Sequence, residues 1–408
     1  MIQNNNIPQG YKKTEIGIIP HEWDVATLGK LGKVISGLTY SPDDISDTGI
    51  LVLRSSNIQN GMLCMADNVY VNTVSYNPVK TGDILICVRN GSKNLIGKSA
   101  YITPHYEGVA FGAFMSIYRS ANNNYLKHLF NSDIFYKNVH RNLGATINSI
   151  NGNDLKKFVI PVPPLAEQRK IAEILGVWDE AIEKQSRLIE KLELRKRALM
   201  QRLLTGRTRL PGFTTPWQKV KLGEICEEYV LRNTEDNDYM VLSCTKYNGL
   251  VSSLDYFGKQ IFSDNLRTYK VVPKYHFAYA TNHIEEGSIG YQECYDYALI
   301  SPMYTVFKAD DTKVDNYFLY TLLKTPLMIY NYQSRIEGSI DRRGGLRWNA
   351  FAGITIKLPY LPEQTVIAEV LKASDKEIAT HRKKLDALRL QKRGLMQQLL
   401  TGKTRVKI

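Results

Sequence analysis

The chain has 408 residues, 43% of them apolar and 23% charged, an ordinary composition for a soluble globular protein with room for two or three domains. Its formal net charge of +13 implies a polyanionic partner, nucleic acid before membrane. The longest apolar runs are too short to span a bilayer, the opening MIQNNNIPQGYKK lacks the apolar centre of a signal peptide, and the five scattered cysteines contain no CxxC. These features set aside membrane, secreted disulfide-rich and zinc-ribbon proteins in favour of a reduced, cytoplasmic one.

Residues 1–165 read as a first globular domain. Its strand-like runs ILVL and DILICV are each followed by a polar cluster, Arg54, Ser55 and Asn57 after the first and Arg89, Asn90, Ser92, Lys93 and Asn94 after the second. A short helix is predicted near YLKHLF at 125–130, and Arg141 follows it. Residues 166–209 change period. Ile171, Leu175, Trp178, Ile182, Ile189, Leu192, Leu199 and Leu203 recur by fours and threes, the seam of a coiled coil, interrupted by Gln185 and Lys196. Pro163 and Pro164 precede this helix and Gly206 stops it. Its length is ~58 Å at about 1.5 Å per residue.

Residues 210–361 form a second mixed domain. Here YMVLSC is followed by Thr245, Lys246 and Tyr247, and another strand-like run by Thr281, Asn282 and His283. A helix is predicted near YFLYTLL at 317–323, with Arg335, Arg342, Arg343 and Arg347 beyond it. Residues 362–408 then repeat the long helix, with Ile367, Leu371, Ile378, Leu385, Leu388, Leu395 and Leu399 on the seam, His381 and Lys392 interrupting it, and Gly402 as the stop. The predicted class is α+β, in the order globular, long helix, globular, long helix.

The two long helices are copies. EQRKIAEIL at 167–175 answers EQTVIAEVL at 363–371, and the match continues without a gap to RALMQRLLTGRTR at 197–209 and RGLMQQLLTGKTR at 393–405. The globular segments repeat more weakly. Trp23 answers Trp217, Ile96-Gly97 answers Ile289-Gly290, and Arg141-x-x-Gly144 answers Arg335-x-x-Gly338. A helix that leaves one domain and a copy that returns antiparallel predict a pseudo-twofold molecule whose two heads share a frame and differ in their loops.

The pattern PxPPLxEQxxIAxxL, with a helix ending LMQxLLTGxTR, duplicated around two divergent domains, resembles the DNA specificity subunit of a type I restriction–modification system. The second copy departs from it slightly, with LPYLPEQ for VPPLAEQ. The resemblance implies two target-recognition domains, each reading half of an asymmetric split site in double-stranded DNA. The helices would set the spacing and dock methyltransferase subunits, with restriction (helicase–nuclease) subunits as further partners. It implies no cofactor in this chain, S-adenosylmethionine belonging to the partner methyltransferase. Independently, Arg and Lys suit guanine edges and Asn and Gln suit adenine edges, so the four polar clusters are candidate DNA contacts. Arg141, Arg335, Arg342, Arg343 and Arg347 are candidates for phosphates. A separate basic cluster marks each helix end, Arg195, Lys196, Arg197, Arg202, Arg207 and Arg209 in the first copy and Arg389, Lys392, Arg393, Lys403, Arg405 and Lys407 in the second. Spacer phosphates, a partner subunit or the helix dipole would each account for it.

An enzyme is disfavoured. P-loop, HExxH and amino-methyltransferase motifs are absent from the sequence, GVAFGAF at 108–114 has the wrong spacing for a dinucleotide turn, and Pro42-Asp43-Asp44 lacks a nuclease partner motif. The histidines form no ligand spacing, so no metal is expected. The alternatives are a coiled-coil scaffold that does not bind DNA, and the S subunit of a related fused restriction–modification enzyme.

Overall fold

The computed structural model describes residues 7–73, 75–143, 148–336 and 345–408. The candidate phosphate contacts Arg342 and Arg343 lie outside the described residues. The chain divides into two compact units, one of Met1–Ser186 with Lys383–Ile408 and one of Arg187–Arg382. Each long helix therefore contributes one part to each unit.

In the first unit a four-stranded antiparallel sheet runs in the order Ser99–Tyr101, Ile84–Cys87, Met115–Arg119, Lys33–Ser36. Ile84 faces Tyr118 and Cys87 faces Met115. The run Ile84–Cys87 is wholly buried, which is why it reads as a continuous apolar stretch without alternation. A second four-stranded sheet carries Ile50–Leu53, paired in parallel with Ala110–Phe111. The strand Asp24–Thr27 pairs with Val159–Val162, and the latter leads into the first long helix.

The second unit repeats this frame. Its first sheet runs Ile289–Tyr291, Phe277–Ala280, Tyr304–Ala309, Cys226–Glu228, and Phe277 faces Phe307. Its second sheet carries Met240–Thr245 in parallel with Tyr297–Ile300. Gln218–Lys221 pairs with Thr355–Leu358, and the latter leads into the second long helix.

The long helices span Leu165–Leu203 and Leu361–Leu400. Their starts are fixed alike, with the Gln168 side chain donating to the Pro163 carbonyl and Gln364 to that of Pro359, both at 2.8 Å. Their ends are fixed by Gly206 and Gly402 at φ of +69° and +71°, a left-handed turn that a Cβ would strain. In the first unit Ile171 and Leu175 share a core with Met396, Leu399 and Leu400, around Trp23, Phe130 and Phe135. In the second, Leu203 and Leu204 share a core with Ile367 and Leu371, around Phe307, Phe318 and Phe351. Within each unit the two helical segments are thus antiparallel, and both are continuous with the core of the head. Seam residues Ile182, Ile189, Leu192, Ile378 and Leu385 are buried as well, while Trp178, Leu199, Leu388 and Leu395 are half-buried.

Candidate nucleic-acid interface

In the first head three segments meet beyond the end of strand Ile84–Cys87. The backbone N–H groups of Val88 and Arg89 donate to the Phe114 carbonyl at 3.0 and 3.1 Å, and the Ile150 N–H donates to the Val88 carbonyl at 2.8 Å. The Asn90 side-chain amide reaches the Ser55 hydroxyl at 3.1 Å, and its carbonyl oxygen receives the Ser92 N–H at 3.0 Å. Asn148 in turn donates to the Gly91 carbonyl at 3.0 Å. The structure thereby brings Ser55, Arg89, Asn90 and Ser92 together, with Lys93 and Asn94 exposed beside them. Arg141 is exposed on the last turn of helix Asp133–Asn142.

Two expectations in this head are corrected. Asn57 is fully buried. Its oxygen accepts the Arg54 N–H at 2.9 Å and its amide donates to the Cys64 and Asp67 carbonyls at 3.1 Å, so it folds the loop and cannot reach a base. The Arg54 guanidinium donates to Asp67 at 2.7 Å, so it is not the free guanine-reading fork its sequence context suggests. Pro42-Asp43-Asp44 is a single 3₁₀ turn in which Asp44 caps the Ser41 N–H at 2.7 Å.

In the second head the Leu346 N–H donates to the Thr281 carbonyl at 3.0 Å, as Ile150 does to Val88. The Thr281 hydroxyl donates to the Met303 carbonyl at 2.7 Å. Thr281, Asn282 and the exposed Arg347, which begins helix Trp348–Ala352, are therefore neighbours. Thr245 is spent on its own hairpin, donating to the Gly249 carbonyl at 3.2 Å and receiving the Asn248 N–H at 3.0 Å. That corrects its reading as a base contact. At the hairpin tip Tyr247 is 81% exposed, with the Lys246 ammonium 5.4 Å from its ring. Arg335 is half-buried and donates to the Asn331 carbonyl at 3.4 Å and side-chain oxygen at 3.3 Å. It caps its own helix, which corrects its reading as a free phosphate ligand. His283 Nδ1 lies 3.9 Å from Glu286, and together with Glu285 it forms a ligand-type cluster on one exposed turn that spacing alone had not suggested.

Lys324 escaped the sequence reading because it stands in no motif. Its ammonium donates to the carbonyls of Lys246, Gly287 and Ile289 at 2.9, 3.2 and 3.3 Å, and so ties the hairpin to the segment after Thr281–His283. Burial there pushes its pKa below the usual lysine range. Part of the basic cluster at each helix end is also committed inside the units. Arg405 holds Glu167 at 2.8 Å and Glu22 at 2.6 Å, while Trp23 Nε1 donates to Glu167 at 2.8 Å. In the second unit Arg209 holds Glu363 at 2.6 Å, and Trp217 Nε1 donates to Glu363 at 3.3 Å. Arg195 pairs with Glu377 and Lys196 with Asp375, while Lys392 pairs with Asp179.

The geometry defines a protein class: a duplicated helical frame carrying two heads alike in backbone and unlike in the polar side chains they present. A family model described as the type I restriction modification DNA specificity domain matches twice, over residues 20–194 and 215–390. The chain belongs to that family. It supplies sequence-specific DNA recognition, one domain for each half of a bipartite site, and is a non-catalytic component of a system whose other subunits methylate and cleave. A Methanocaldococcus jannaschii chain assigned as the MjaX type I restriction enzyme specificity subunit is 28% identical over 98% of this chain and 97% of its own length. The EcoKI specificity subunit of Escherichia coli K12 is 29% identical over 47% of this chain and 43% of its own. Among solved structures, the type I restriction–modification S subunit from M. genitalium shares the fold at a TM-score of 0.53, with 16% identity over 98% of both chains. A chain from a study of complex assembly in a type I system does so at 0.55, with 18% identity over 95% of this chain and 99% of that one. Among the described residues no helix is long and apolar enough to cross a membrane.

Proposed function

We propose that Ser55, Arg89, Asn90, Ser92, Lys93 and Asn94 read one half-site, and that Lys246, Tyr247, Thr281, Asn282 and His283 read the other, with Arg141 and Arg347 on flanking phosphates. One observation carries this reading. In both units the segment after the second strand, the segment entering the following helix and the turn before the third strand meet at the same place. The backbone bonds there are alike (Ile150 to Val88, Leu346 to Thr281) and the side chains differ. A common frame docks each head, and its variable side chains choose bases. The long helices set the unread gap and offer their outer faces to methyltransferase subunits, which bind S-adenosylmethionine. The assembly works on double-stranded DNA in the cytoplasm, with restriction subunits cutting unmodified sites.

The test is methylation mapping of the assembled modification complex. Arg89→Ala with Asn90→Ala should relax or change one half of the methylated motif and leave the other half intact. Asn282→Ala should do the converse. A double variant that altered both halves, or neither, would sink the assignment. Affinity for duplex DNA should also fall with salt, by ~0.9 in log K per log salt for each phosphate contacted.

A further inference from the structure

The four-residue turn before the third strand has the same form in both heads. In the first, the Met115 N–H closes onto the Gly112 carbonyl at 2.8 Å; in the second, Tyr304 closes onto Ser301 at 3.0 Å. Such turns ordinarily carry Gly, Asn, Asp or Ser. Here the third residue is large and apolar in each, and it points outward: Phe114 is 56% exposed and Met303 is 62% exposed. Their surroundings are polar. The Arg89 guanidinium lies 5.7 Å from the Phe114 ring centre, and the Arg89 and Val88 N–H groups hold the Phe114 carbonyl. Thr281 holds the Met303 carbonyl. A single exposed apolar residue needs no explanation. Two at one position of a duplicated frame, each beside the polar groups of its own head, do.

A base presents polar edges together with an apolar face and, in thymine, a methyl group. A cluster of hydrogen-bonding side chains around one apolar knob matches that surface. Phe and Met are also among the residues that wedge between base steps when a protein unstacks them. We propose that Phe114 and Met303 are base-contacting, specificity-determining residues, each placing an apolar side chain against the apolar surface of a base in its own half-site. The proposal rests on the reading that these loops form the DNA interface.

The test uses the full chain assembled with its methyltransferase partner, on duplexes carrying the mapped wild-type site and on scrambled duplexes of equal length at one salt concentration. Phe114→Ala should weaken binding to the target about 10- to 100-fold, the range of one lost base contact, and leave scrambled-duplex affinity unchanged. Phe114→Leu should recover most of the loss. On a duplex whose first half-site alone is scrambled, wild type and Phe114→Ala should bind equally. Met303→Ala should repeat the pattern for the second half-site. Two probes separate the sources of the apolar surface. If it is a thymine methyl, one deoxyuridine substitution should reproduce the loss in wild type and add nothing in the variant. If it is an unstacked face, 2-aminopurine at one step should brighten with wild type and stay dark with the variant. Target affinity within twofold of wild type for both alanine variants, while Arg89→Ala with Asn90→Ala still loses binding, would overturn the proposal and keep the interface. Equal losses on target and scrambled DNA would overturn it too. Should the Arg89 and Asn90 variant also bind normally, the interface reading itself has failed.

Discussion

The two units use one helical frame and differ in what their heads bring to it. In the first, Asp179 is paired by Lys392 and faced by the buried His128, whose Nδ1 lies 3.6 Å away. In the second, Asp375 is paired by Lys196 and accepts a hydrogen bond from the Tyr317 hydroxyl. The lysine and aspartate come from the duplicated helices, and each aspartate is matched by the lysine of the other copy. The third partner comes from the head, an imidazole in one unit and a phenol in the other, and the two arise from different turns: His128 from the last turn of helix Asn123–Leu129, Tyr317 from the first turn of helix Asn316–Leu323. The clasp shows the same division. Glu167 and Glu363 are both buried and each is held by an arginine from the opposite copy. But Trp23 is fully buried, and Trp217 is only half so. The lysine–aspartate and arginine–glutamate pairs occur in both units, while Arg195–Glu377 has no counterpart, Gln391 and Ala181 standing at the matching positions, and the head-to-helix contacts differ.

Four measurements would break or sharpen that comparison. The largest effect is expected from the tryptophans. Trp23→Ala should cost the first unit about 4 kcal/mol, as burial of a large aromatic side chain implies, and Trp217→Ala about half that in the second. Hydrogen exchange resolved by unit reads both; equal losses would deny the difference in burial its weight. Next, Arg405→Ala leaves Glu167 as a buried carboxylate without its cation. It should destabilise the first unit by about 2–3 kcal/mol, below the range for a fully buried pair because the arginine is partly exposed. Arg209→Ala should do the same to the second unit only.

The third measurement is acid stability. Burial, together with the Lys392 and Lys127 charges, lowers the His128 pKa from its ordinary 6.5 to about 2. The folded first unit therefore keeps the ring neutral where the unfolded chain protonates it. Its stability is complete above pH 6.5 and declines as pH falls toward the folded value. The decline should reach about 2 kcal/mol by pH 5. Tyr317, which contacts Asp375 in the second unit, has its pKa raised by burial and by Asp375, and it stays neutral through this window. Urea unfolding of each unit at pH 7 and pH 5 should show the added loss in the first unit, and His128→Gln should remove it. Persistence of the acid loss in that variant would place its origin elsewhere. The smallest effect is expected from the lysine–aspartate pairs. Lys392→Met and Lys196→Met should each cost about 1 kcal/mol or less, since both aspartates are partly exposed.

The helices were legible because their signal is local. Period, proline start and glycine stop all lie within one stretch, and the seam residues from Ile171 to Leu203 and from Ile367 to Leu399 are buried or half-buried. The heads were legible as strand-like runs followed by polar loops, and the loop pairs Arg89–Asn90 and Thr281–Asn282 do sit at equivalent strand ends. What spacing cannot show is the partner across space. In sequence Asn57 has the form of an adenine reader, but its three bonds go to loop backbone, and Arg54 has the form of a guanine reader, but Asp67 engages it. Arg405 and Arg209 looked like a phosphate-binding tail, yet they close on glutamates 238 and 154 residues away. Lys324, Phe114 and Met303 carry no motif. Their importance comes from what they touch, or from being exposed at matched turns.

The first unit is assembled from two stretches of chain, with Lys383–Ile408 supplied after the whole of Arg187–Arg382. On a ribosome that order imposes a delay. The first head emerges early, but Met396, Leu399 and Leu400 of its core and Arg405 of its clasp emerge only about 200 residues later, roughly 10–40 s at ordinary elongation rates. During that interval Glu167 keeps Trp23 but lacks Arg405, and Ile171 and Leu175 lack the part of their cover that Met396, Leu399 and Leu400 supply. The second unit, made of one continuous stretch, can close first. The nascent protein should therefore complete its domains in the reverse of the order in which they begin, and a stop codon just before Lys383 would leave the first head, synthesised earliest, as the unfinished one.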